Sequence, residues 1–350
     1  MKILVATDAW HPQVNGVVRT LGKVADEARG FGVEMDFLSP AEFRTLPMPG
    51  YPEIPLALVG ARAVERRLEH SRPDAIHVAT EGPIGHATRR VCLRLGVPFT
   101  TSFHTRFPDY LAERLPVPTR WTQAVTWAWL RRFHGAGRAV LAATPTLVTE
   151  LETRGFENVK LWSRGVDATL FRPRDGATLD LPRPIFLTVG RVAVEKNLEA
   201  FLKLDLPGSK VVVGDGPARA ALQKAHPDAV FLGARQGEPL AEIYAAADVF
   251  VFPSHTDTFG LVLLEALASG VPVAAFPVPA PRDVLGSAPV GVLDEDLRAA
   301  CLGALDVSRE ACRDYALTMT WEKCARLFVQ YVGEAARGAN IPEATAAVAA

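Results

Sequence analysis

The stretch VFVFPSHTDTFGLVLLEALASGVPVAAF, residues 249–276, decides the fold. Its first four residues, Val249–Phe252, alternate valine and phenylalanine and predict a short buried strand. A polar loop follows, Leu261–Ser269 predicts a helix, and the apolar run Val271–Phe276 predicts a second strand. A strand, a helix and a strand in this order predict a β-α-β unit, in which parallel strands are covered by the helix.

The same alternation extends over most of the chain. Further strands are expected at residues 2–7, 33–38, 74–79, 98–102, 139–143, 185–189, 210–213, 229–232 and 290–293. The proline-rich segment 171–184 interrupts the alternation and predicts a linker. We therefore predict an α/β protein divided into a Rossmann-like domain over 1–170, the linker 171–184, a second Rossmann-like domain over 185–320, a C-terminal helix over 321–338 and a disordered tail over 339–350.

Composition excludes several classes of protein. The 350 residues are 49% hydrophobic and 22% charged with a net charge of -1, which excludes general disorder and argues against a nucleic-acid binder. The chain through Arg172 has 22 basic and 17 acidic residues, so its net charge of +5 fits either an anionic partner or a chance distribution. Four cysteines without a C-x-x-C pair predict neither a disulfide scaffold nor a structural metal. The N-terminal residues predict a strand rather than a secretory signal, and we expect a cytoplasmic protein.

Loops that follow the strands of a parallel sheet are where such folds bind ligands. In the first loop, Asn15 precedes Gly16, where a helix begins; the N–H groups there suit an anion, although a plain Asn-Gly turn is the alternative. In a second loop, Gly190 and Arg191 follow a strand, and Lys196 lies five residues after Arg191. Two cations suit a diphosphate, while a solvated pair of charges is the alternative.

Two more loops complete the candidate site. Gly214 begins a tight turn that turn chemistry alone would explain. Asp257 lies in the loop after a strand, and Glu265 lies eight residues further on, inside an apolar helix. A buried carboxylate needs hydrogen-bond donors, which ribose hydroxyls or protein N–H groups can supply. With two similar halves, the cleft between them is the expected site.

Taken together, these loops resemble those of the retaining glycosyltransferases of GT-B fold in glycosyltransferase family 4. The resemblance rests on the motifs at residues 15–17, 102–105, 164–167, 190–197, 214–217 and 257–270, which follow the family's order. It implies two Rossmann-like domains facing each other across a cleft, with the C-terminal helix packed back on the N-terminal domain. It also implies transfer of a hexose (glucose, glucuronate or mannose) from a nucleotide-diphosphate sugar, with no cofactor and no metal. No residue specifies whether the base is uracil, guanine or adenine.

The resemblance implies a catalytic set of His104, Arg191, Lys196 and Asp257. His104 would lie near the transferred sugar and the acceptor. Arg191 and Lys196 would neutralise the diphosphate leaving group. Asp257 stands where the family usually has glutamate, and this carboxylate normally faces the hexose, so the shorter side chain leaves the choice of sugar open. Arg164 replaces a family asparagine and is expected to lie on the surface, with contact to substrate as the alternative.

The resemblance also implies a set of donor-binding residues. They are Asn15, Gly16, Gly190, Gly214, Phe259, Gly260, Leu261 and Glu265. Gly16 would let the backbone approach the diphosphate, and Glu265 would hold the ribose hydroxyls. The acidic run 294–296 resembles the metal motif of the other glycosyltransferase fold, but its place at the start of a predicted helix favours a capping role.

The segment 116–134 bears on the acceptor, because it holds Trp121, Trp127 and Trp129 among arginines. Tryptophan with arginine suits a membrane interface, and a core helix is the alternative. Resemblance to bacterial lipid glycosyltransferases favours a membrane lipid such as diacylglycerol, reached from the inner face of the cytoplasmic membrane. The alternatives are a polysaccharide, a lipopolysaccharide or a soluble acceptor, an epimerase or phosphorylase on the same fold, or a nucleotide-sugar binding module without catalysis.

Overall fold

The computed structural model describes residues 1–13, 15–48, 51–104 and 119–337. The chain divides into two compact units, Met1–Ser163 together with Glu322–Ala350, and Arg164–Trp321. The predicted linker 171–184 lies inside the second unit, and the predicted tail lies outside the described residues. Within the described ranges, we find no helix with both the length and the apolarity that a bilayer span requires.

The first unit is built on a parallel sheet. Its strands are β1 (Lys2–Ala6), β2 (Glu34–Leu38), β3 (Thr45–Met48), β4 (Tyr51–Ala57), β5 (Ala75–Val78), β6 (Thr100–Phe103), β7 (Ala139–Ala142) and β8 (Val159–Leu161). Its helices include α1 (Gly16–Arg29), α2 (Ala61–Ser71), α3 (Pro83–Leu95), α4 (Thr119–His134) and α5 (Pro145–Thr153). Six strands form the parallel sheet in the order β2-β1-β5-β6-β7-β8, and β3 and β4 form a separate antiparallel hairpin. The strand order reverses between β1 and β5, because β2 lies on one side of β1 and the later strands of this sheet lie on the other. Ligands bind at such a point in folds of this kind.

The second unit repeats this plan. Its strands are β9 (Ile185–Val189), β10 (Ser209–Val213), β11 (Val230–Gly233), β12 (Val249–Phe252), β13 (Val273–Ala275) and β14 (Gly291–Leu293). Its helices are α6 (Leu198–Leu202), α7 (Arg219–Ala225), α8 (Gly237–Ala246), α9 (Leu261–Ala268), α10 (Pro279–Leu285), α11 (Leu297–Gly303) and α12 (Arg309–Leu317). The parallel order is β11-β10-β9-β12-β13-β14, so the reversal falls between β9 and β12. Both units therefore have the predicted α/β architecture.

The last helix of the described residues, α13 (Trp321–Ala336), joins the first unit from Glu322 onward. The fully buried Trp162 donates its indole N–H to the carbonyl oxygen of Cys324 at 3.0 Å. Phe328 packs on the Trp162 ring at 5.0 Å between centroids and on the His77 ring at 4.8 Å. These contacts confirm the expectation that the C-terminal helix packs on the N-terminal domain.

The segment that the sequence marked as a linker begins as a fixed part of the second unit. Arg313 on α12 donates to the carbonyl oxygens of Ala168 at 2.9 Å and Phe171 at 2.7 Å. The same guanidinium donates to the carbonyl oxygen of Ala268 at 2.7 Å, at the C-terminal end of α9. One arginine on α12 therefore ties residues 168–171, where the predicted linker begins, to the C-terminal end of α9.

His77 on β5 is a fully buried histidine in the core of the first unit. Its Nδ1 lies 2.8 Å from Thr100 Oγ1, and its Nε2 lies 2.9 Å from Ser102 Oγ. Burial, with a smaller contribution from the nearby His134, lowers the pKa of His77 to about 3. The neutral ring therefore links β5 to β6 through two hydroxyl groups.

This burial predicts a pH-dependent stability. The pKa of His77 is about 3 in the folded chain, whereas an unfolded histidine has a pKa of about 6.5, so unfolding takes up a proton between these values. The free energy of unfolding should be unaffected by His77 above about pH 6.5 and should fall by about 1.4 kcal/mol per pH unit toward pH 3. The free energy of unfolding of wild type and His77→Gln should be measured by urea titration at several pH values. It should change less steeply with pH in the variant. His70→Gln, at an exposed position on α2, is the control, and equal slopes in all three proteins would contradict the assignment.

Candidate functional site

Lys196 and Asp257 form an ion pair in the second unit, at the carboxyl ends of β9 and β12. Lys196 Nζ lies 2.5 Å from Asp257 Oδ1, although the residues are 61 positions apart in the chain. Both side chains are largely shielded from solvent, so their attraction is weakened less by water than that of a surface pair. The structure therefore brings two of the expected catalytic residues together at the point where the strand order reverses.

Two further residues hold this pair in place, and neither was singled out in the sequence. Asn197 adopts a left-handed backbone conformation with φ 50°, and its side-chain amide donates to the carbonyl oxygen of Pro253 at 3.1 Å. Ser254 Oγ donates to the carbonyl oxygen of Glu195 at 3.4 Å. Hydrogen bonds therefore join the loop after β9 to the loop after β12 at the residues before and after Lys196. In the sequence, the available signal was an asparagine directly after Lys196, because asparagine adopts the left-handed conformation more readily than most residues.

Arg191 lies in the same loop as Lys196. Its side chain is 47% exposed, and its Nη1 lies 4.0 Å from Glu195 Oε1. An ion pair of this length at the surface contributes little. The half-exposed guanidinium lies in the same loop as Lys196, so Arg191 can serve as a second cation for a diphosphate.

The glycines of the loops after β9 and β10 permit a close backbone approach. Gly214 has φ 146°, and a Cβ atom there would collide with the carbonyl oxygen of Gly190. The Gly190 N–H donates to the carbonyl oxygen of Val213 at 3.0 Å. No side chain larger than hydrogen fits at Gly214 without moving the Gly190 loop, which carries Arg191.

Helix α9 begins beside these loops. Gly260 precedes its first residue with φ 82°, and a Cβ atom there would lie 3.1 Å from both Phe252 Cζ and Leu263 Cδ1. The first N–H groups of a helix have no carbonyl partner within the helix, and Leu261 is the first residue of α9. Phe259 is buried just before this turn. The start of α9 is therefore suited to an anion or to sugar hydroxyls.

Glu265 is a carboxylate in the middle of α9 with only 3% of its surface exposed. The hydroxyl of Tyr244 on α8 donates to Glu265 Oε2 at 3.1 Å. The protein thus holds this charged group with a phenol, a donor that sequence reasoning missed because Tyr244 fits the apolar pattern of a core helix. Arg164, expected at the surface, is buried, and that expectation is wrong.

The first unit holds the remaining predicted residues. Asn15 caps α1, because its Oδ1 accepts from the N–H groups of Val17 and Val18 at 3.0 Å each, and Gly16 is the first residue of that helix. His104 follows β6 directly, with 6.1 Å between the centroids of its ring and the Trp162 ring. We place Asn15, Gly16 and His104 within this unit only.

Buried acidic residues at the carboxyl ends of β1 and β5 were not predicted. Asp8 Oδ1 accepts from the Ile84 N–H at 2.8 Å and Asp8 Oδ2 from the Gly85 N–H at 3.2 Å, at the start of α3. Burial is the largest effect on this carboxyl group and raises its pKa. Glu81 Oε1 lies 3.1 Å from His134 Nε2. These contacts brace the loops of the first unit. In the second unit, Asp296 caps α11 as predicted, accepting from two backbone N–H groups.

Comparison with known proteins assigns a class to this arrangement. The profile described as Glycosyltransferase Family 4 matches residues 14–170, and the profile described as Glycosyl transferases group 1 matches residues 183–305. The chain is 33% identical over 319 residues to a GDP-mannose-dependent alpha-mannosyltransferase of Mycobacterium tuberculosis (strain CDC 1551 / Oshkosh), covering 84% of this chain and 83% of that protein. It is 25% identical over 350 residues to an alpha-monoglucosyldiacylglycerol synthase of Streptococcus pneumoniae (strain ATCC BAA-255 / R6), covering 87% and 78%.

Solved structures show the same fold. Sucrose-phosphate synthase from Thermosynechococcus elongatus superimposes with a TM-score of 0.74 at 18% identity, covering 94% of this chain and 98% of that one. Fold, site and relatives together define a GT-B glycosyltransferase that uses a nucleotide sugar. The chain belongs to glycosyltransferase family 4, as its motifs implied.

Proposed function

We propose that this glycosyltransferase moves a hexose from a nucleotide-diphosphate sugar to a membrane lipid such as diacylglycerol, with retention of configuration and without a metal ion or cofactor. The observation that carries the donor half of the proposal is the shielded pair of Lys196 and Asp257, with Arg191 in the same loop. The geometry favours an anionic ligand that also carries hydroxyl groups, as a nucleotide sugar does.

The two cations answer the charge that develops in the reaction. Breaking the bond between the anomeric carbon and the phosphate oxygen leaves negative charge on the diphosphate, and fixed cations speed a reaction most where charge grows. Lys196 and Arg191 are the cations of this loop that would meet it. The acceptor oxygen forms the new bond to the anomeric carbon on the face that the diphosphate leaves, and the diphosphate takes the acceptor proton. His104 would orient the sugar and the acceptor rather than act as base.

Asp257 is placed to bind the hexose. In the described part of the chain, its Oδ2 is buried and accepts no hydrogen bond, while Oδ1 holds Lys196. A buried carboxylate oxygen without a donor is costly, and a sugar hydroxyl would relieve that cost. The same carboxylate would thus hold the cation for the phosphate and the hydroxyl of the sugar.

The lipid acceptor is supported by one face of α4. Trp121, Val125 and Trp129 follow one another at four-residue spacing and are 60%, 67% and 37% exposed. Trp127 faces the core instead, with its ring parallel to that of Phe103. The helix therefore has both features that were considered as alternatives, a tryptophan in the core and tryptophans on an exposed face. The named activity of the Streptococcus relative, a glucosyldiacylglycerol synthase, also supports a lipid acceptor.

Charge around this face favours an anionic membrane. Helices α3 and α4 together contain six arginines and no aspartate or glutamate. The two helices are joined where Arg89 on α3 donates to the carbonyl oxygen of Phe133 on α4 at 2.9 Å. Exposed tryptophan beside arginine suits the headgroup region of an anionic bilayer. We therefore propose peripheral binding to the inner face of the cytoplasmic membrane.

A donor screen tests the reaction. Purified protein is mixed with UDP-glucose, UDP-galactose, UDP-glucuronate or GDP-mannose, with and without diacylglycerol liposomes, and products are followed by mass spectrometry. A glycolipid from one donor, formed equally in EDTA and with the donor's anomeric configuration by NMR, is the expected result. Release of the nucleoside diphosphate without any lipid product would overturn the lipid acceptor. Binding without release from any donor or acceptor would support a binding module instead.

The membrane surface gives a separate prediction. The double variant Trp121→Ala/Trp129→Ala should partition about tenfold or more weakly onto phosphatidylglycerol-containing vesicles, because a buried tryptophan side chain removes a large apolar area from water. Co-sedimentation measures the partitioning. The matched control is Leu58→Ala/Leu161→Ala, which removes two other exposed apolar side chains of the first unit. Equal losses in both double variants would count against a specific role for α4.

A further inference from the structure

Tyr244 contacts the carboxylate expected to read the ribose. This tyrosine is fully buried on α8, and its hydroxyl lies 3.1 Å from Glu265 Oε2 and 3.5 Å from the carbonyl oxygen of Val262. A phenol has one proton to donate, and the shorter contact goes to the charged group. We propose that Tyr244 is a positioning residue that holds Glu265 ready for the ribose hydroxyls, and so makes the site select ribonucleotide over deoxyribonucleotide donors. This inference rests on the proposed nucleotide-sugar function.

The phenol is itself held rigidly. The Tyr244 ring lies nearly perpendicular to the Phe171 ring at 5.6 Å between centroids, and 5.7 Å from the Phe250 ring on β12. The carbonyl oxygen of Phe171 accepts from Arg313, which also binds the C-terminal end of α9. The hydroxyl therefore sits at a position fixed by the strand, the two helices and the anchored segment around it.

Glu265 needs such a partner because of where it lies. Its side chain turns about several bonds, and a carboxylate with 3% exposure loses the hydration that would stabilise other orientations. A charge-assisted hydrogen bond from a rigid donor selects one orientation before the nucleotide arrives. Preorganisation of this kind lowers the entropy lost on binding, and the gain depends on the ribose hydroxyls being present.

The test compares Tyr244→Phe with wild type in calorimetric titrations with GDP, 2′-deoxy-GDP and 2′,3′-dideoxy-GDP, and with the three UDP counterparts. Wild type should bind the ribonucleotide about tenfold or more tightly than the dideoxy form, the scale of a hydrogen bond to a charged group. In Tyr244→Phe this ratio should fall to about threefold or less, with little change in affinity for the dideoxy form. Tyr315→Phe is the matched control, because Tyr315 donates to the carbonyl oxygen of Val284 at 2.7 Å in the same unit.

A purely structural tyrosine would give a different result. If Tyr244→Phe weakened all three nucleotides equally, or kept the wild-type ratio, the positioning role would be overturned. Melting temperatures identify a variant that does not fold, and Glu265→Asp then carries the test, because it withdraws the carboxylate by one methylene while Tyr244 stays. An unchanged ratio in Glu265→Asp would also overturn the inference. If wild type bound none of the six nucleotides, the proposed function would fail instead.

Discussion

Replacing Lys196 with alanine should lower kcat/KM about 100-fold or more, the scale for removing one preorganised donor from developing negative charge. Lys196 Nζ is held in place by Asp257 Oδ1, and the loop that carries Lys196 is hydrogen-bonded to the loop after β12. A cation fixed in advance stabilises the departing diphosphate without reorganising during the reaction. The measurement is steady-state turnover with the donor found in the screen. Arg191→Ala should show a loss of the same order.

Lys203→Ala is the matched control for Lys196. Lys203 lies on the same unit, is largely exposed and pairs with Glu199 one helical turn away. Its loss should leave kcat/KM within about threefold, because exposed pairs of this kind contribute little. A change of less than about threefold in Lys196→Ala as well would remove the assignment of Lys196 to the leaving group.

Asp257→Asn should separate two quantities that usually change together. Turnover should fall about tenfold or more, because the neutral amide no longer fixes Lys196 or accepts as strongly from the hexose. Affinity for the free nucleoside diphosphate should rise, by about tenfold, because Lys196 loses its counter-charge and meets the phosphates alone. Titration calorimetry with GDP and UDP measures the affinity, and steady-state kinetics measures turnover.

The opposite sign of the two effects makes this prediction sharp. Asp228→Asn is the control, because Asp228 is an exposed aspartate that pairs with Lys210 in the same unit. Asp257→Glu, which restores the length usual in the family, shows whether the shorter acid sets the choice of hexose. If Asp257→Asn bound the nucleoside diphosphate more weakly than wild type, the idea that Asp257 offsets the charge of Lys196 would be refuted.

The regular part of the fold was open to prediction because buried parallel strands are nearly continuous apolar runs. The expected strands occur at the expected places within a few residues, including Val249–Phe252 as written. The hairpin of β3 and β4 was missed because its prolines argue against strands, and an isolated hairpin tolerates them. The three-residue strand β8 gives too short a pattern to detect.

The site was predictable in its parts but not in its pairings. The loops after strands and the family motifs pointed to Lys196, Asp257 and Glu265 one at a time. The contact between Lys196 and Asp257 joins residues 61 positions apart and depends on β9 and β12 being neighbours, which no local pattern reveals. Tyr244 was missed for a related reason. Its position on the helix fits a residue that only packs in the core, and the contact of its hydroxyl with Glu265 cannot be read from that position.

The placement of α13 also governs the order in which the chain can complete its structure during synthesis. The second unit, Arg164–Trp321, is a continuous segment, whereas the first unit needs the chain from Glu322 onward. On the ribosome, the buried faces of Trp162 and His77 therefore wait uncovered until Phe328 has emerged. The half of the chain made first is thus the half finished last, and a chain released before Phe328 would leave an aromatic cluster exposed to aggregation while retaining every residue of the second unit.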